Sequence, residues 1–186
     1  MAELVAREEV RVSVEFHAFA LQEEDDMEVP APFPEERAED PGADFLIAYA
    51  MRLDFESAGH THEAALTAEA WSSEPSVTGD EPWEAQGEAE IFSITGNLSV
   101  ETMSGVGEGR VELGRPGTLW KVRAYCSGRA EAARLAAVDV PVGVERYLVQ
   151  FWPASTREPV GKAPGSAHRA RQAWRRHPGA GLADRG

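Results

Sequence analysis

Apolar and polar side chains alternate with a period of two through most of this chain, and glycine or proline interrupts the runs about every ten residues. Period two is the signature of half-buried strands, and few segments offer the 3.6-residue spacing of a helix. From Glu9 to Leu21 the residues Val10, Val12, Val14, Phe16 and Ala18 fall on one face, with Arg11, Ser13, Glu15 and His17 on the other. Residues 44–56 repeat the pattern, with Phe45, Ile47, Tyr49, Met51, Leu53 and Phe55 facing in and Arg52, Asp54 and Glu56 facing out. Residues 61–71 suit a third strand, with Ala64, Leu66, Ala68 and Ala70 on one face, or an Ala-rich helix; the preceding Gly59 and the spacing of two favour the strand. The runs 88–95 and 97–104 flank Gly96-Asn97, a hairpin signal. Residues 110–114 lead through Arg115-Pro116-Gly117 into 118–127, where Trp120, Val122, Ala124 and Cys126 face in and Lys121, Arg123 and Tyr125 face out. Residues 128–139 suit one or two helical turns, and 144–153 form a last, almost wholly apolar strand ended by Pro153. The expected fold is all-β, an antiparallel β-sandwich of about eight strands in a domain spanning residues 1–154.

Two segments stand apart. Residues 22–43 combine four prolines with a dense run of Asp and Glu and no periodicity, an acidic Pro-rich insertion. Residues 155–186 carry seven basic and two acidic side chains and almost no large apolar ones, so a disordered basic tail is expected there. Charge is therefore segregated: residues 1–110 hold 26 acidic and 5 basic side chains (net −21), and 111–186 hold 6 and 13 (net +7).

That distribution restricts partners. Phosphate backbones attract clustered positive charge, so the main domain is not expected to bind nucleic acid or an anionic membrane. The lone Cys126 excludes an intramolecular disulfide and a multi-cysteine zinc site and fits a reducing, cytoplasmic setting. Glu3, Glu8 and Glu9 stand where a secretory signal would need positive charge, and no apolar run reaches the roughly 18 residues of a membrane span.

The strand VRVSVEFHAFAL, the strand FLIAYAMRLDF, the hairpin VELGRPGTLWKVRAYC and the closing ERYLVQFWP together resemble the competence protein J family, the DNA-entry nuclease inhibitors, over most of residues 8–154. The resemblance implies a small binding protein that blocks a nuclease by occupying its nucleic-acid surface. An acidic body suits that role, because a nuclease cleft is basic and complementary charge speeds association.

The sequence contains no HExxH, P-loop, strand-associated GxGxxG or nucleophile elbow, and its paired carboxylates sit in the Pro-rich stretch, where no pocket would separate their pKa values. His60 and His62, on one face of a strand, are the candidate metal ligands, with His17 or a carboxylate as a third. Arg123, Arg129 and Arg146 are the candidate anion-binding patch, if their strands are neighbours. In the tail, Arg169, Arg171, Trp174, Arg175 and Arg176 combine positive charge with one aromatic ring. They suit contact with an external anion or with the chain's own acidic body. Core packing accounts for Cys126 and most aromatics. The leading reading is a non-enzymatic protein-binding module needing no cofactor, with a basic nuclease or toxin as partner. The alternative is a small-ligand or metal-binding domain with hydrolytic activity.

Overall fold

The computed structural model describes residues 1–25, 27, 45–77 and 82–154. The chain divides between Ala154 and Ser155 into two units. The tail, with Arg169, Arg171, Trp174, Arg175 and Arg176, lies outside the described residues, as does most of the acidic insertion.

The fold is all-β, as the period of two predicts, and the described residues hold ten strands and one short helix: β1 (Leu4–Glu15), β2 (Ala18–Glu23), β3 (Leu46–Tyr49), β4 (Arg52–Glu56), β5 (Thr61–Trp71), β6 (Ala85–Ser93), β7 (Asn97–Thr102), β8 (Gly105–Glu112), β9 (Thr118–Ser127), α1 (Arg129–Ala136) and β10 (Val142–Pro153). They form one hydrogen-bonded sheet in the order β3, β4, β2, β1, β5, β10, β9, β6, with β7 joined to β2 and β8 to β7. The ends of this path approach each other: Phe92 N–H donates to Ala50 O at 2.7 Å, and Gly87 of β6 lies against Leu46 of β3. The sheet thus curls into a near-barrel around a core that includes Val12, Val14, Leu53, Leu66, Trp120 and Phe151.

The ten strands exceed the expected eight because two predicted strands are each a hairpin. The run 9–21 breaks at Phe16-His17, and 44–56 breaks between Tyr49 and Arg52, which face each other across β3 and β4. Two further expectations are corrected. The sheet is not purely antiparallel, since β10 runs parallel to β5; α1 carries the chain across so that β10 inserts between β5 and β9. Nor do the runs on either side of Gly96-Asn97 pair with each other, because β6 pairs with β9, and β7 with β2 and β8.

The β1–β2 turn is unusual. Phe16 and His17 hold φ of 51° and 66°, a left-handed conformation that two-residue hairpin turns usually assign to Asn-Gly. For residues with a Cβ this costs about 1–2 kcal/mol each. Surrounding contacts hold it: His17 N–H donates to His60 O at 2.9 Å, Ser57 N–H donates to His17 O at 2.8 Å, and the His60 ring packs edge-on against both turn residues, 5.1 Å between centroids in each case.

Candidate functional site

Beneath that turn lies a buried polar cluster. Ser57 follows β4, His62 points inward from β5, Glu145 points inward near the start of β10, and Arg129 opens α1. The side chains of His62 and Glu145 are fully buried, with His62 Nε2 at 3.0 Å from Glu145 Oε2. The Ser57 hydroxyl donates to Glu145 Oε2 and lies 2.8 Å from His62 Nε2. Ala58 N–H donates to Glu145 Oε1 at 3.2 Å, and the Arg129 guanidinium stands 3.5 Å from the same oxygen. Gly59 makes the approach feasible, since a Cβ there would meet His62 Cδ2 at 2.6 Å.

A serine, a histidine and a carboxylate invite comparison with a hydrolytic triad, but the connectivity is wrong. In a triad the carboxylate grips the imidazole nitrogen remote from the serine and so orients the base. Here Glu145 and Ser57 both meet Nε2, while Nδ1 has no hydrogen-bond partner among the described residues. With no exposed side-chain surface on His62 or Glu145, this geometry braces β4, β5, β10 and α1 against one another.

The electrostatics agree with a bracing role. Burial alone would raise the Glu145 pKa. Hydrogen bonds from His62, Ser57 and Ala58, with the Arg129 charge, outweigh burial and leave it below the ordinary carboxylate value. Neighbouring groups move the other way: burial, then the Glu145 charge, push the Cys126 thiol and the Tyr147 hydroxyl up. Glu23 shows the same balance as Glu145. Burial would raise it, but bonds from Ser93 and Thr95 and from the backbone at Asp25 and Thr95 leave it lowered. Because both folded-state values lie below the unfolded 4.5, each carboxylate stabilises the fold above that pH, and the contribution is lost as pH falls through the folded value. Thermal unfolding followed between pH 7 and pH 3 should therefore show a midpoint that drops on the acid side. The drop should be shallower in Glu23→Gln, and equal slopes for the two proteins would refute the assignment.

The residues singled out by sequence do not converge. His60 is exposed, with its Nδ1 at 2.9 Å from Thr61 Oγ1, whereas His62 is interior, so the two do not share a face. The chain leaves the strand at His60, which ends the alternation expected there. Among the described residues no three His, Cys, Asp or Glu side chains gather as a metal centre would require. The three arginines go to three places. Arg123, expected to face outward, is buried between Glu74 at 2.6 Å and Glu88 at 3.2 Å, with its guanidinium 5.1 Å from the Trp152 ring centroid. Arg129 serves Glu145 and donates to Glu56 O at 2.7 Å. Arg146 is exposed on β10. Sequence reasoning missed Ser57 and Glu145, although a carboxylate inside the apolar strand VERYLVQFWP was a usable signal.

The crystal structure of ComJ, inhibitor of the DNA degrading activity of NucA from Bacillus subtilis, superposes with a TM-score of 0.56 at 14% identity, over 83% of this chain and 99% of ComJ. The chain resembles ComJ in fold. The product of crocagin biosynthetic gene J matches with a TM-score of 0.52 at 13% identity, over 80% of this chain and 99% of its own. Both likenesses are of fold, and the resemblance expected from strand order is thus present in three dimensions. No protein-family profile and no curated protein sequence matches the chain. Among the described residues no helix is long and apolar enough to cross a membrane.

Proposed function

We propose that this chain is a non-enzymatic protein-binding module whose acidic body engages a basic protein, and that the partner is a DNA-degrading nuclease. The observation that carries this reading is the net charge of −21 on residues 1–110, set on a fold shared with a nuclease inhibitor. A nuclease presents positive charge to DNA, so an acidic protein competes for the same surface and is steered to it at long range. The Ser57, His62 and Glu145 arrangement supports a binding role over hydrolysis, because its groups brace the fold and none faces solvent. A cytoplasmic setting is part of the same proposal.

The test is a DNA-degradation assay with purified chain titrated against NucA and against basic DNA-degrading nucleases encoded in the chain's own genome. At least one nuclease should be inhibited stoichiometrically, with inhibition weakening as salt screens the charges. Full activity of every nuclease at a tenfold excess of the chain and low salt would overturn the reading.

A further inference from the structure

Phe16 is 60% exposed although it stands at one of the most constrained points of the backbone. Close to it lies the tip of the β7–β8 hairpin, with Met103 and Val106 48% and 76% exposed. The two turns are tied together: Ser104 donates to the Glu15 carboxylate from its backbone N–H at 2.8 Å and from its hydroxyl at 2.9 and 3.0 Å. Large apolar side chains held together in water at one end of a sheet mark an interaction surface better than the same residues scattered singly.

We propose that this end of the sheet, with Phe16 as its central anchor and Met103 and Val106 beside it, is the surface that seats the basic partner. The proposal rests on the protein-binding reading above. The partner chemistry it requires is an apolar pocket rimmed by Lys and Arg. Two observations converge on this assignment. The left-handed turn is pinned from both sides by His60 O and Ser57 N–H, so Phe16 is presented with little freedom to lose on binding. Beside it the register places Glu15, Glu56 and Glu101; Arg129 is already engaged by Glu145 and Glu56 O, and the exposed Arg11 and Arg146 lie further along the sheet, next to Glu63. An aromatic anchor inside a charged rim is the usual anatomy of an interface hot spot.

An acidic cleft elsewhere on the sheet is a poorer candidate. It is a cleft of about 470 Å³ lined by Glu74, Glu88, Glu90, Lys121 and Trp152 among others, towards the opposite end of β10 from Glu145. Its charge is largely met from within, since Arg123 binds Glu74 and Glu88, and Lys121 stands opposite Glu90.

The experiment uses the full chain in the DNA-degradation assay with NucA and the genome-encoded nucleases, comparing wild type, Phe16→Asp, Met103→Asp and the double variant Glu88→Gln/Glu90→Gln, with a thermal melt of each. Phe16→Asp should raise the concentration for half-inhibition by at least about 30-fold, as loss of a hot-spot residue does. Met103→Asp should raise it less, and the cleft variant should match wild type, with all melts within a few degrees. If both single variants inhibit as wild type does, the proposal is overturned while the inhibitor reading stands. If Phe16→Asp is unfolded, an unchanged half-inhibition concentration for Met103→Asp still overturns it. If wild type inhibits none of the nucleases, the reading fails and the proposal with it.

Discussion

Replacing Glu145 with alanine is expected to lower the stability of the fold by about 3–5 kcal/mol, the usual cost of breaking a buried charged pair from one side. The carboxylate accepts from Ser57 and Ala58, lies 3.0 Å from His62 Nε2 and 3.5 Å from Arg129, and has no exposed surface. Removing it takes away the acceptor shared by Ser57, Ala58 and His62, leaving the Ser57 hydroxyl only its longer bond to Gly59 O at 3.2 Å and its contact with His62. Arg129 suffers less, because it keeps its bond to Glu56 O and its place over Phe45. Glu145→Gln should fall between the two proteins, since an amide offers one acceptor where the carboxylate offers two. Urea unfolding at pH 7 measures the effect. Glu131→Ala, which breaks the exposed pair with Arg134, is the control and should leave the midpoint where it was. A Glu145→Ala midpoint indistinguishable from that control would show that the cluster braces nothing.

The cluster also shows where sequence reading stops. Alternation placed Val12, Val14, Leu66 and Trp120 in the core because each strand carries its own pattern, and the structure buries all four. The break at Phe16-His17 was hidden because neither residue is a turn former; its conformation is imposed by His60 and Ser57, 40 or more residues along the chain. Arg123 and Tyr125 were assigned to solvent by the same alternation that succeeded elsewhere. They are buried because a second layer covers that face of β9: Trp83 stacks on Tyr125 with centroids 5.2 Å apart, and Glu74 and Pro75 O receive Arg123. A period of two reports which residues share a face, but whether that face meets water depends on segments far away in sequence. The parallel pairing of β5 with β10 was illegible for the same reason. Of the site, the sequence pairs His62 with its neighbour His60, whereas its partners in the fold are a serine five residues before it and a glutamate 83 residues after it.

Gly128→Ala should be about as damaging as the loss of Glu145, at about 3 kcal/mol or more, although it adds an atom and removes none. Gly128 is the N-cap of α1 at φ 78°, where an L-residue is strained by roughly 1–2 kcal/mol. A Cβ there would stand 2.1 Å from Val144 O, a backbone atom of β10 that no rotamer change can move. The strand and the helix start must therefore separate. That movement pulls on two anchors at once. The Glu84 carboxylate accepts the N–H groups of Gly128, Arg129 and Ala130 at 2.6, 3.2 and 3.0 Å, serving the helix N-terminus in place of a capping side chain. Glu145 follows Val144 directly, so a displaced Val144 carbonyl also draws the carboxylate away from His62 and Arg129. Asparagine tolerates the left-handed region better than alanine but carries the same Cβ, so Gly128→Asn should recover only the smaller, conformational part of the loss. Because the glycine and the glutamate act on one junction, Gly128→Ala/Glu145→Ala should be less destabilised than the two single losses added together. Strict additivity, or a Gly128→Ala protein within about 1 kcal/mol of wild type, would mean that β10 and α1 can part without disturbing the cluster.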